Sequence, residues 1–257
     1  MRVLVVRRDC RGDIVAATSV LPGLRRKYPG AYIAWCVNPI FRGILEGLPL
    51  DEIRHDTEGQ WDLVIELKHH EDWRAPLEVI YCEQAGVELS RPTIDLTADE
   101  DAFGGFAQGA IAVACDAGWA TRQYKRFQEV VDLLTARDYR LVEVDRERSL
   151  ERVEWRPTTI KQAASILKHS RLYLGIDTLA MHLVLAVGIP MVVLMCATGP
   201  ENQWIPEGSQ ALRVVEEPCT WSRRRRLICP YRHCPEKMAL DLLSPEAVVE
   251  ATERMLK

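Results

Sequence analysis

The sequence has 257 residues, 47% of them hydrophobic and 27% charged, with a formal net charge of −4 at pH 7. The length accommodates one large α/β domain or two of about 100–150 residues each. The net charge excludes an overall basic field that would attract nucleic acid or membranes. No segment approaches the ~18 apolar residues of a membrane helix, and the first apolar run is too short for a signal peptide, so we expect a cytoplasmic protein with no transmembrane segment.

The first half of the chain alternates strand-like and helix-like segments. A buried strand is predicted over Arg2–Val6, followed by a polar loop. One helix is predicted from residue 14, because apolar residues recur at helical spacing until Tyr28-Pro29-Gly30 stops the pattern. The remaining predicted elements are a strand at 32–37, a short helix at 41–45, a strand at 61–67 and a helix at 77–85.

Residues 88–109 contain turn formers and charges, and the alternation then begins again. Strands are predicted at 110–114, 140–144, 172–174 and 191–195, with helices between them and a last helix introduced by Ser244 and Pro245. We therefore predict an α/β fold with two Rossmann-like parallel sheets facing across a cleft. The predicted division is an N-terminal domain at 1–98, a linker at 99–109, a C-terminal domain at 110–243 and a C-terminal helix at 244–257.

The loop after the predicted strand at 172–174 has the features of an anion site. Asp177 and Thr178 lie at a helix entrance, where free N–H groups and the helix dipole attract groups such as a pyrophosphate. His182 follows one helical turn after Thr178, so both side chains would face the same ligand. The alternative is a capping aspartate followed by a histidine that merely packs.

Three segments in order resemble the bacterial heptosyltransferase family, glycosyltransferase family 9. Residues 177–183, Asp-Thr-Leu-Ala-Met-His-Leu, resemble its signature Asp-Thr-Gly-Pro-Met-His-Leu, with Leu179 and Ala180 replacing Gly and Pro. Residues 8–21 resemble its opening Gly-Asp loop and helix. Residues 116–124 resemble its loop ending in Thr-Lys-Arg-Trp, with Arg122 in place of the lysine.

The resemblance implies a GT-B fold and a metal-independent, inverting transfer of a sugar, such as heptose from ADP-heptose. The acceptor would be a hydroxyl of a glycan or glycolipid, and no cofactor is implied. Family members carry a longer N-terminal half, so the acceptor-side domain is predicted to be shortened here. The sequence offers no convincing Asp-x-Asp motif for a metal, and we predict none at the site.

The resemblance also implies roles for individual residues. Asp13 matches the family's catalytic aspartate and would be the general base, the alternative being an N-cap for a helix that starts at Ile14. Three basic neighbours would keep Asp13 ionised and bind an anionic acceptor. They are Arg7, Arg8 and Arg11. His69 is a further candidate on the acceptor side. The donor would be held by Thr121, Arg122, Asp177, Thr178, Met181 and His182, with Glu143 or Glu147 on the ribose.

A cysteine-bearing segment near the C-terminus resembles a loop of many family members. Cys219, Cys229 and Cys234 are expected to be free thiols, although with His233 they have the ligand types of a zinc site and two of them could form a disulfide. Four consecutive arginines lie within the segment. They form either a solvated basic loop or a contact to a phosphate-bearing surface such as the inner face of a membrane; they are Arg223, Arg224, Arg225 and Arg226.

Three alternative functions remain open from the sequence. A related epimerase would convert a nucleotide sugar without any acceptor. A non-catalytic module would bind a nucleotide sugar without turnover, which the altered 177–180 turn would suit. A glycosyltransferase could also use a small molecule or a modified nucleic-acid base as its acceptor.

Overall fold

The computed structural model describes residues 1–68, 75–96, 103–118, 122–195, 204–212 and 239–257. Within these ranges, no helix combines the length and the apolar character that crossing a bilayer requires. The strands form two separate sheets, and every strand pairing in both sheets is parallel. The α/β fold with two parallel sheets, predicted from the alternating pattern, is therefore confirmed.

The first sheet has four strands in the order β3-β2-β1-β4. Its central strand β1 (Arg2–Val6) pairs with β2 (Tyr32–Cys36) on one side and with β4 (Leu63–Glu66) on the other. The edge strand β3 (Glu52–Arg54) was not predicted, because its three residues are only partly buried and show no apolar run. The chain reverses its direction of winding between β1 and β4, which makes the loop after β1 a topological switch point.

Two helices follow β1 and the loop at its carboxyl end. The chain forms two helices, α1 (Arg11–Ala17) and α2 (Val20–Lys27), where the sequence pattern predicted one. Pro22 explains the break, because it has no N–H to donate to the carbonyl of Thr18 and is tolerated only in the first turn of a new helix. Next come a 3-10 helix at Pro39–Ile44 and α3 (Leu77–Ala85), which ends at Gly86 in a left-handed conformation.

The second sheet has six strands in the order β10-β9-β8-β5-β6-β7. The short helix α4 (Gly104–Ala107) precedes it, inside the region predicted as a linker. The strands are β5 (Ile111–Ala114), β6 (Leu141–Glu143), β7 (Glu154–Trp155), β8 (Leu172–Ile176), β9 (Met191–Leu194) and β10 (Gln210–Leu212). The sequence pattern missed β7 and β10, which have two and three residues. The switch point of this sheet lies between β5 and β8.

Four further helices cover the second sheet. They are α5 (Phe127–Thr135), α6 (Ile160–His169), α7 (Leu179–Val187) and α8 (Pro245–Leu256). Thr159 and Gln162 form a capping box at the start of α6, and the Ser244 hydroxyl accepts from the Ala247 N–H at the start of α8. Helix α8 packs on α5 and on the strands β8 to β10.

The two sheets share one continuous apolar core. Helix α1, which follows the first sheet's central strand, packs against α7 of the second sheet and against α3. Buried residues of both sheets belong to the same cluster, such as Val5 of β1 and Met191 of β9, together with Ile14 of α1 and Met181 of α7. The loops at the carboxyl ends of β1 and β8 therefore lie next to each other. The domain boundaries given above stay a prediction.

Candidate active site

A cavity of about 620 Å³ lies at the two switch points. Its lining comes from both halves of the chain. The loop after β1 and the first turn of α1 contribute Cys10, Arg11 and Gly12, and Ile40 lies beside them. The opposite wall comes from the loops after β5, β6 and β8 and from the start of α6. Because ligands of parallel α/β sheets bind outside the carboxyl ends of the strands at such points, this cavity is the candidate active site.

The start of α7 forms one wall of the cavity. Asp177 and Thr178 both line it, and Thr178 is the N-cap residue, although its side chain makes no capping hydrogen bond. Arg122 lines the same wall, with its Nε 3.5 Å from Asp177 Oδ2 and its Nη1 donating to the Asp177 carbonyl at 3.4 Å. A helix N-terminus beside an arginine offers N–H donors and positive charge to an anion.

Asp13 lies in the first turn of α1, which begins at Arg11 with Cys10 as its N-cap. The alternative interpretation of Asp13 as an N-cap is therefore wrong. Its carboxylate forms a close ion pair with Arg7, and only 15% of the aspartate side chain is exposed. Asp13 itself is not among the residues that line the cavity, but it directly follows Gly12, which does.

Arg7 is engaged with the protein itself. Its side chain is 14% exposed, its Nη1 donates to the Leu67 carbonyl at 3.4 Å, and its guanidinium lies over the Tyr81 ring at 5.7 Å. These contacts favour a role for Arg7 in orienting Asp13 over a role in binding an acceptor. Arg8 and Arg11 are exposed, and Arg11 lines the cavity, so both stay candidates for acceptor binding.

Two residues predicted to hold the donor lie away from the cavity. Met181 is completely buried in the shared apolar core. His182 is 5% exposed, and its ring faces Glu78 of α3 and Gly12 of α1. The spacing that places His182 one turn after Thr178 is correct, but at that position the helix surface turns towards α1 and α3.

Glu143 is also turned inwards. It is completely buried, and its carboxylate accepts hydrogen bonds from the Ser149 N–H, the Ser149 hydroxyl and the Leu150 N–H. It thus fixes the loop after β6. Asp145, two residues later, lines the cavity. Asp145 was not predicted from the sequence, although it follows Glu143 by two residues, a spacing that places two side chains on the same side of an extended chain.

The carboxyl of Asp145 has an unusual environment. Its Oδ2 accepts from the N–H groups of Cys115 and Asp116, at 2.7 and 3.1 Å. Burial nevertheless dominates and raises the pKa of Asp145 to about 7. Cys115, Glu143 and Asp145 offer ligand atoms within 4.8 Å of one another. The hydrogen bonds from the backbone and from Ser149 account for this cluster, and we assign it no metal.

The stability of the protein should depend on the protonation of Asp145. The folded chain keeps the Asp145 proton up to about pH 7, whereas an unfolded aspartate loses it near pH 4. The stabilisation of the folded state by this proton is therefore complete below about pH 4 and declines between pH 4 and pH 7. We expect Asp145→Asn to gain stability relative to the parent protein as the pH rises from 5 to 8. Urea unfolding at the two pH values measures this, with Asp138→Asn as a control on an exposed loop.

Several predicted residues lie outside the described ranges. These are Thr121, His69, the four arginines Arg223 to Arg226 and the three clustered cysteines with His233. Their roles stay predictions. Of the cysteines in the described ranges, Cys10, Cys36, Cys82 and Cys115 are free thiols. Cys10 has a φ of 66°, a conformation that non-glycine residues rarely adopt, and it does so at the edge of the cavity.

Comparison with known proteins gives similarity in structure only. No protein-family model matches the sequence, and no curated protein matches it. The glycosyltransferase TibC from enterotoxigenic E. coli H10407 aligns with a TM-score of 0.80 at 12% identity, covering 99% of this chain and 76% of TibC. The ADP-heptose lipopolysaccharide heptosyltransferase II of E. coli gives 0.72 at 14% identity, covering 100% of this chain and 98% of that one.

A third solved structure, the glycosyltransferase family 9 protein of Veillonella parvula DSM 2008, gives a TM-score of 0.71 at 18% identity. The alignment covers 99% of this chain and 97% of that one. This chain has the heptosyltransferase fold. The GT-B-like arrangement predicted from the sequence is thereby confirmed. Similarity at this level of identity leaves the activity to be argued from the site itself.

Proposed function

We propose that this protein is a glycosyltransferase that moves a sugar from a nucleoside diphosphate donor to a hydroxyl group. One observation carries the proposal: the cavity brings a helix N-terminus and Arg122 together with the first turn of α1, which holds Asp13. The helix N-terminus and Arg122 suit a diphosphate, and Asp13 suits a hydroxyl that must lose a proton. A TibC structure in complex with ADP-D-beta-D-heptose supports ADP-heptose as the first donor to test.

The donor would lie along the wall formed by the second sheet. Its diphosphate would meet the N–H groups at the start of α7, beside Thr178, and the Arg122 guanidinium, which together offer several donors to phosphate oxygens. Asp145 lines the same cavity and replaces Glu143 in our assignment of the ribose contact. A carboxyl group can accept from a ribose hydroxyl, or donate to it while protonated.

The transfer itself would proceed with inversion. The acceptor hydroxyl attacks the anomeric carbon from the face opposite the diphosphate, and Asp13 takes its proton. The bond between the anomeric carbon and the diphosphate oxygen breaks, and the leaving group keeps the electron pair. Arg122 and the α7 dipole stabilise the negative charge on the departing diphosphate. Arg7 keeps Asp13 ionised and oriented for the proton transfer.

The acceptor would enter from the side of the first sheet. Arg11 and the largely exposed Ile40 line this part of the cavity, so the opening offers one cationic and one apolar side chain. This combination suits a glycan or glycolipid that carries an anionic group. We propose that the arginines at 223–226 add a contact to a membrane surface at which such an acceptor is presented.

Incubation with ADP-heptose, with and without a panel of glycan and glycolipid acceptors, tests the proposal. Acceptor-dependent release of ADP together with a glycosylated product is expected. Conversion of the donor without any acceptor would favour the epimerase. Tight ADP binding without turnover on any acceptor would favour the binding module.

Donor binding should not require a divalent metal. The cavity wall supplies Arg122 and a helix N-terminus for the diphosphate, which are the charges that a Mg²⁺ ion would otherwise provide. We expect the affinity for ADP to change less than about twofold when EDTA is added. Titration calorimetry with and without the chelator measures this, and a strict need for Mg²⁺ would contradict the proposed diphosphate site.

A further inference from the structure

Besides the Arg7–Asp13 ion pair, a second pair of ionisable side chains, Glu78 and His182, lies outside the lining of the cavity. Glu78 belongs to α3 and is completely buried, and His182 belongs to α7 and is 5% exposed. Their facing atoms, Glu78 Oε1 and His182 Nδ1, are 3.5 Å apart. Within the described residues, neither carboxylate oxygen of Glu78 nor His182 Nδ1 has a hydrogen-bond partner. The pair links α3 in the first half of the chain with α7 in the second half.

A buried carboxylate without a partner is costly, and a buried opposite charge offsets part of that cost. Burial by itself would lower the pKa of His182, but the Glu78 carboxylate, followed by Asp177 and Asp13, outweighs it and raises the pKa. These three carboxylates come from α3, from the turn before α7 and from α1, so acidic groups surround the ring on several sides. This surrounding negative charge therefore holds the pKa of the ring above that of an ordinary histidine.

The other edge of the ring contacts the first turn of α1. A β-carbon at Gly12 would lie 2.8 Å from His182 Cδ2 and 3.3 Å from Nε2, so only glycine leaves room for the ring here. Gly12 precedes Asp13 in the chain. The imidazole is thus held between Glu78 on one side and the backbone that carries the proposed base on the other.

We infer that Glu78 is a positioning residue, which holds His182 against the first turn of α1 and so fixes the place of Asp13. The inference deepens the proposed function, since it concerns the residue proposed as the base. Glu78 itself does not touch the cavity. It acts through His182, and Arg7 orients the Asp13 carboxylate from another side.

Titration of His182 by nuclear magnetic resonance tests the inference without substrate. The protein is labelled in its histidine rings, and the His182 signal is assigned by its absence in His182→Gln. We expect Glu78→Gln to shift the pKa of His182 downward. Glu83→Gln, an exposed position on the same helix, should leave it unchanged. Asp13→Asn should also lower it, by a smaller amount, and Asp9→Asn in the exposed loop should not.

An unchanged His182 titration in Glu78→Gln would overturn the inference. Should that variant fail to fold, the double variant Glu78→Gln/His182→Gln decides instead, because removing both members of a pair leaves no unpaired buried charge. A double variant that folds and gives a cooperative urea transition supports the pair, and one that also fails to fold overturns it. Neither experiment uses turnover, so a failure of the proposed function would be seen separately.

Discussion

Replacement of Asp13 by asparagine should reduce acceptor-dependent turnover by about 10²–10⁴-fold, the usual contribution of a general base. An amide cannot take the proton of the acceptor hydroxyl, although its oxygen can still accept a hydrogen bond from Arg7. Asp13 belongs to α1, whereas the proposed diphosphate contacts lie at the start of α7. The affinity for ADP should therefore change little. Initial rates with ADP-heptose and calorimetry with ADP measure the two quantities.

Asp9→Asn is the matched control for this experiment. Asp9 is an exposed residue of the same loop, and its replacement makes the same change in charge. We expect near-full turnover in this variant. If Asp13→Asn kept near-full turnover with a confirmed acceptor, Asp13 would serve the structure of the α1 turn alone. The base would then have to be sought elsewhere, with His69 and His70, which lie outside the described residues, as the next candidates.

Replacement of Arg122 by alanine should weaken ADP binding by about 10–100-fold, since a hydrogen bond to a charged group contributes about 1.5–3 kcal/mol. The guanidinium lies at the start of α7, where the diphosphate is proposed to bind. Adenosine has no phosphate, so its affinity should change far less. Parallel titrations with ADP and adenosine give the ratio of the two effects.

The control for Arg122 lies four residues further along the chain. Arg126 forms a two-point contact with Glu129 at the start of α5 and does not line the cavity. Arg126→Ala should leave both affinities unchanged. If Arg122→Ala weakened ADP and adenosine equally, its contacts with Asp177 would be structural, and the proposed diphosphate site would lose its main cation.

The sequence alone determined the architecture. Apolar runs at the spacing of strands alternate with helical patterns, and such alternation can bury its backbone only in parallel sheets covered by helices. It also determined that Asp177 and Thr178 stand at a helix entrance and that Asp13 follows a buried strand. These are local facts, because the end of a strand and the start of a helix depend on neighbouring residues. The short strands β3, β7 and β10 escaped notice, since two or three residues give no periodicity.

Only the tertiary structure decided which way the side chains of the candidate site face. Periodicity indicates which residues share a helix face, and it does not indicate what packs against that face. His182 shares the α7 surface with the donor wall, yet α1 and α3 cover it and Glu78 becomes its partner. Glu143 turns inwards because the N–H groups of the loop after β6 need an acceptor, and Asp145 reaches the cavity instead. Glu78 lies more than a hundred residues from His182, and only the packing of the two sheets brings their charges together.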